Sequence, residues 1–219
     1  MRAFFFLIVL TAPWTWPAQA QDKAPWTRIV IIGASVSRGF TASEPFGGPK
    51  TKAYALDRYL NAALLAPHES PVNLANAMFF MLPDDMGHEQ VRQALTNRPT
   101  LIIGIDFLFW YCYGRGQSEE DRLKHFDKGL KLLEEVECPL IVGDIPDASS
   151  AVNRMLSPQE MPSPETRMTA NRRLKEWAAR HRQVTVVPLA DFMSAVAANK
   201  AWSGHGYTFA RGTTRALLQ

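Results

Sequence analysis

The run Arg28-Ile29-Val30-Ile31-Ile32-Gly33-Ala34-Ser35-Val36-Ser37-Arg38-Gly39-Phe40 constrains this chain more than any other stretch. The four apolar residues before Gly33 read as a strand covered on both faces, which is the pattern of a parallel sheet. Gly33 ends that strand, and Gly33 and Gly39 bracket Ser35 and permit a tight turn into the next element. In open α/β sheets, ligands bind at the carboxyl ends of the strands. Ser35 is therefore a candidate nucleophile, although the same placement suits a serine that caps a strand-to-helix turn.

Other motifs that place chemistry at such a turn do not fit. An α/β-hydrolase nucleophile elbow needs Gly two residues after the serine, and Ser37 stands there. A dinucleotide fingerprint needs Gly where Ser35 and Arg38 stand. Gly47-Gly48-Pro49-Lys50-Thr51 lacks the first Gly of a phosphate loop, and Pro49 interrupts it, so it reads as a turn before a helix.

The rest of the chain alternates strand and helix patterns. Strands are expected over 28–32, 71–75, 100–105, 139–143 and 184–188, and helices over 51–66, 86–97, 118–137, 164–180 and 190–199. The third helix opens on a capping pattern, Ser118 with Asp121 three residues on, followed by Leu123, Phe126, Leu130 and Leu133 on one face. Alternation of this kind argues a parallel sheet with helices on both faces. The stretch 144–164 carries four prolines and reads as either a binding lid or a surface excursion.

Residues 1–20 read as a secretory signal peptide. Arg2 is its positive end, Ala3 to Leu10 are apolar, and Ala18-Gln19-Ala20 is a small-x-small cleavage site. The apolar run is too short to span a bilayer. The expectation is a mature chain from Gln21, secreted or periplasmic, with one domain over 21–219. The formal charge of +3 does not point to nucleic acid. Export permits a disulfide between Cys112 and Cys138, and two buried free thiols fit equally. No Cys or His spacing suggests a metal.

The segment Gly33-Ala34-Ser35-Val36-Ser37-Arg38-Gly39 resembles the first block of the SGNH/GDSL hydrolases, which are serine esterases and lipases. In that block Gly-Asp-Ser is followed, after three residues, by Gly. Ala34 replaces the Asp, which mostly supports the turn. The resemblance implies a three-layer α/β/α fold with a flavodoxin-like, five-stranded parallel sheet. It also implies a Ser35 nucleophile, no cofactor, and a small-molecule or carbohydrate ester as substrate. The family's third block, Gly-x-Asn-Asp, matches Gly104-Ile105-Asp106-Phe107, with Asp106 where an Asn donates to the oxyanion. An ionised Asp has no proton to donate. It donates if burial keeps it neutral; otherwise it positions a substrate group or caps a turn. The family's second block, a backbone donor after the second strand, falls on Asn73-Leu74-Ala75-Asn76-Ala77, with Asn76 the chosen residue.

The last block of the family, Asp-x-x-His, has no match. Of the five histidines, His68, His88, His125, His181 and His205, the last alone follows the fifth expected strand. Trp202 stands where its Asp would be. The sequence ends at Gln219 within an apolar pattern, so the resemblance places the catalytic Asp and His beyond it, with His205 as the internal candidate base. Asp84-Asp85-Met86-Gly87-His88-Glu89 reads as the acidic start of a helix rather than a metal cluster. The run Phe107 to Tyr113 suits both core packing and the wall of an acyl or glycosyl pocket. A non-catalytic exported binding module on the same fold is the alternative reading.

Overall fold

A computed structural model of the chain describes residues 24–39, 55–114, 118–204 and 206–209. The expected signal peptide, the segment Gly47 to Thr51 and His205 lie outside the described residues.

Five strands form one parallel sheet: β1 (Ile29–Ile31), β2 (Val72–Asn73), β3 (Leu101–Gly104), β4 (Leu140–Gly143) and β5 (Val184–Val187). Their order is β2-β1-β3-β4-β5. Register pairs Val30 with Val72 on one side and Ile102 on the other. All five expected strands are present, and the three-layer, flavodoxin-like expectation holds. The reason is visible in β1, where alternate residues serve opposite cores. Val30 and Ile32 pack under the larger core, while Ile29 and Ile31 face a smaller one with Ile103 and Ala75. Full burial of each such aliphatic side chain stabilises by about 1.5–3 kcal/mol.

The helices of the chain are α1 (Ser35–Arg38), α2 (Leu56–Ala63), α3 (Pro83–Thr96), α4 (Phe109–Cys112), α5 (Glu119–Leu133), α6 (Pro164–Arg180) and α7 (Leu189–Ala197). Leu56 and Leu60 of α2 cover the smaller core. Val91 of α3, Tyr111 of α4, Phe126 of α5 and Leu174 of α6 fill the larger one. The Ser118 cap of α5 forms as expected, its Oγ accepting from the Asp121 N–H at 3.1 Å. That helix stops at Leu133, short of the expected 137, and tight turns carry the chain to β4.

Two short helices and a hairpin were not legible. Both α1 and α4 have four residues, too few to show a 3.6-residue period. The hairpin pairs β6 (Trp202–Gly204) with β7 (Tyr207–Phe209), antiparallel and separate from the main sheet. The excursion after β4 is tied down. Buried Arg122 donates to the carbonyls of Cys112, Gln159 and Glu160, and Tyr113 donates through its hydroxyl to Pro146 O at 2.9 Å. Cys112 and Cys138 are free thiols. Burial pushes the Cys112 thiol up to about 12, so it is unreactive at neutral pH.

Candidate active site

The sheet order reverses between β1 and β3, which is the switch point where open α/β sheets hold their ligands. Two turns meet there, Gly33–Ser37 after β1 and Gly104–Phe107 after β3. Gly33 has φ +136°, a backbone conformation that side chains disfavour, and a Cβ there would press into Asp106 Oδ1. The Gly33 peptide is held on both sides. Buried Gln90 of α3 accepts from the Gly33 N–H at 2.7 Å and donates to its carbonyl at 3.0 Å. That carbonyl also accepts the Asn76 N–H at 3.0 Å.

Asp106 organises the next four residues. Its Oδ1 accepts from Ala34 N–H at 3.1 Å and from Ser37 Oγ at 2.6 Å. Its Oδ2 accepts from Val36 N–H at 2.8 Å and Ser37 N–H at 3.2 Å. Asp106 as a whole is 7% exposed. Burial raises its pKa above the ordinary carboxylate value, while the bonds from Ser37, Ala34 and Val36 pull the other way. The N–H of Ser35 is the one in this run that the carboxylate leaves alone. Among the described residues, neither that N–H nor Ser35 Oγ has a hydrogen-bond partner.

The three residues singled out in the sequence therefore converge on one turn, but two of them do other work than the resemblance implies. Asp106 accepts at both oxygens from inside the turn, which is the turn-capping role among those open to it. Asn76 spends its backbone N–H on Gly33 O, and its Oδ1 accepts from Met78 N–H at 2.8 Å. Its side-chain amide N–H groups are the donors it has left.

Asn73 ties the far end of the turn, donating to Ser37 O at 3.0 Å and to Asp57 Oδ1 of α2 at 2.7 Å. Gln90, Ser37 and Asn73 were missed as positioning residues. Gln90 had a sequence signal, since it interrupts the buried stripe of Gly87, Val91 and Ala94 on α3. A polar side chain on an apolar stripe needs buried partners.

The described histidines lie elsewhere. His68 precedes β2 and His181 precedes β5, both at the amino edge of the sheet, with Nδ1 donating to Ala66 O and Trp177 O. His125 pairs with Asp84 at 2.8 Å between α5 and α3. His88 is exposed and lies two residues before Gln90, roughly 200° around the helix. A groove of about 280 Å³ between α5 and α6 is lined by Asp127, Lys131, Arg173 and Trp177. None of its lining residues belongs to the Ser35 turn.

The fold has known counterparts among solved structures. A lipase/acylhydrolase from Enterococcus faecalis superposes with a TM-score of 0.54 over 87% of this chain and 91% of its own, at 16% identity. The chain has an acylhydrolase-type fold. A candidate acylhydrolase from Bacteroides fragilis gives 0.50 over 87% and 82%, at 14% identity. No protein-family model matches the sequence, and no curated protein matches it either. The acylhydrolase-type fold thus rests on topology and shape, with β1 and β3 bringing Ser35 and Asp106 together.

Proposed function

We propose that this chain is a serine hydrolase that cleaves carboxylic esters, with Ser35 as the nucleophile. One observation carries the reading. Asp106 takes the N–H groups of Ala34, Val36 and Ser37 and leaves that of Ser35 open beside its own hydroxyl. A serine oxygen and a free N–H on one residue, fixed by a buried carboxylate, suit attack on a carbonyl and capture of the resulting oxyanion. The acylhydrolase-type fold supports the same chemistry.

In the proposed reaction, Ser35 Oγ bonds to the acyl carbon as its proton passes to a histidine base. The Ser35 N–H holds the oxyanion, with the Asn76 side-chain amide as the second donor. The alcohol departs with the proton, and water then cleaves the acyl-serine bond through the same base. His205 is the internal candidate for that base, and an Asp-x-x-His segment after Gln219 is the family-like alternative. Asp106 is a positioning residue in this scheme. Arg2, the apolar run and Ala18-Gln19-Ala20 support export.

The test is a fluorophosphonate probe on the 219-residue chain, with the labelled residue located by mass spectrometry. Labelling at Ser35 that disappears in Ser35→Ala supports the reading and places a working base within the chain. A folded chain that stays unlabelled, both alone and when extended by any residues its gene encodes after Gln219, overturns it in favour of a binding module on the same fold.

A further inference from the structure

The segment between β2 and α3 exposes more apolar side chain than folding alone explains. Ala77-Met78-Phe79-Phe80-Met81-Leu82-Pro83 contains no side chain that makes a strong hydrogen bond. Its short 3₁₀ turn (Phe79–Met81) is pinned by Phe79, which is buried 5.4 Å from Phe107 and 6.1 Å from Tyr111, ring centre to ring centre. The pinned turn displays its neighbours outward: Phe80 is 43%, Met81 58% and Leu82 55% exposed. Phe80 meets Trp110 at 5.5 Å, and Trp110 meets Phe109 edge-on at 5.1 Å, so an aromatic wall on α4 backs the ledge. Single exposed hydrophobes are ordinary; a contiguous set marks a binding surface.

The ledge is continuous with the Ser35 turn. It begins at Asn76, whose N–H bonds Gly33 O, and exposed Val36 stands beside the nucleophile. We infer that this ledge holds the acyl chain of the substrate, and that the chain prefers esters of medium and long fatty acids to acetyl esters. The inference rests on the hydrolase reading of Ser35. A sugar would need hydrogen-bonding side chains that residues 77–83 lack. An anionic lipid surface is disfavoured by Asp84 and Asp85, which follow directly. An extended hydrocarbon needs neither, and the unbranched, pliable Met78 and Met81 suit it.

The experiment compares acetyl, butyryl, hexanoyl and octanoyl p-nitrophenyl esters on the full chain, first below and then above their micelle concentrations. The expected kcat/KM rises about threefold to fourfold per added methylene, the value of burying one such group. In Phe80→Ser/Met81→Ser, which alters two exposed positions, the octanoyl-to-acetyl ratio falls at least about tenfold. Calorimetric titration of decanoate into Ser35→Ala protein reads the ledge without catalysis. Binding is expected, absent for acetate and weakened about tenfold by the double substitution.

A flat or acetyl-favouring profile, or decanoate binding indifferent to the double substitution, overturns the inference while leaving the hydrolase reading intact. Rates that rise only above the micelle concentration overturn it in favour of a lipid surface. Decanoate binding by a chain that stays unlabelled at Ser35, both alone and extended, removes the hydrolase reading and with it the acyl-substrate inference, leaving a fatty-acid-binding surface.

Discussion

At the scale of single residues, Asp106 decides the character of the site. An amide at 106 offers one accepting oxygen, so Asp106→Asn sets an N–H₂ against either Ala34 N–H and the Ser37 hydroxyl or the N–H groups of Val36 and Ser37. Each orphaned donor costs about 1–3 kcal/mol. We expect Asp106→Asn to lower both Ser35 labelling and stability, read by probe kinetics and urea unfolding. The pH dependence has a definite sign. Burial raises the native pKa of Asp106 above its unfolded value. Its contribution to stability is then fully present below the ordinary carboxylate range and is lost as pH rises through the raised native value. The stability of wild type relative to Asp106→Asn therefore declines over that window. Labelling runs the other way: protonation occupies one accepting oxygen, so Ser35 reactivity drops as pH falls through the same value. Gly33→Ala combines a disfavoured φ with a collision against Asp106 Oδ1. It is expected to lose at least about 1–3 kcal/mol, measured by thermal unfolding, with Ser35 labelling lost as well.

At the scale of elements, what could be read from the sequence was what repeats. Runs such as Leu140 to Gly143 and the capped α5 announce themselves by composition and period, and helix α6 occupies its expected range, Pro164–Arg180. Helices of four residues carry no 3.6-residue period, so α1 and α4 stayed hidden although both border the site. The candidate site was half legible. Ser35 and Asp106 were visible as positions, but the direction of hydrogen bonding at Asp106 was not, since it depends on β1 and β3 lying side by side. Arg122 shows the same limit: a helix arginine reads as solvent-facing, yet it is 2% exposed and ties the carbonyls of Gln159 and Glu160, in the excursion after β4, to that of Cys112 on α4. Arg122→Met removes that shared donor, while Glu160 O keeps the Gly114 N–H. The expected result is a loss of at least about 2 kcal/mol and faster proteolytic cutting within 147–160, followed by limited trypsin digestion against wild type.

At the scale of the whole molecule, the acylhydrolase-type fold places every strand's carboxyl end on one edge, and Ser35, Asp106 and the Met78–Leu82 ledge share it. Among the described residues, no helix is long and apolar enough to cross a membrane. The proposed export predicts that protein recovered outside the cytoplasm begins at Gln21, with an Ala18→Leu/Ala20→Leu variant retaining residues 1–20. N-terminal sequencing of both checks this.

The bonds from the serine turn to Asp106 span 69 to 72 residues of chain. Closing so long a loop is entropically costly and is offset only when β3 docks beside β1. The turn therefore orders late in folding. On the proposed hydrolase reading, a chain emerging from the ribosome carries its serine long before it carries a reactive one, and the unfinished protein is spared a nucleophile that works too early.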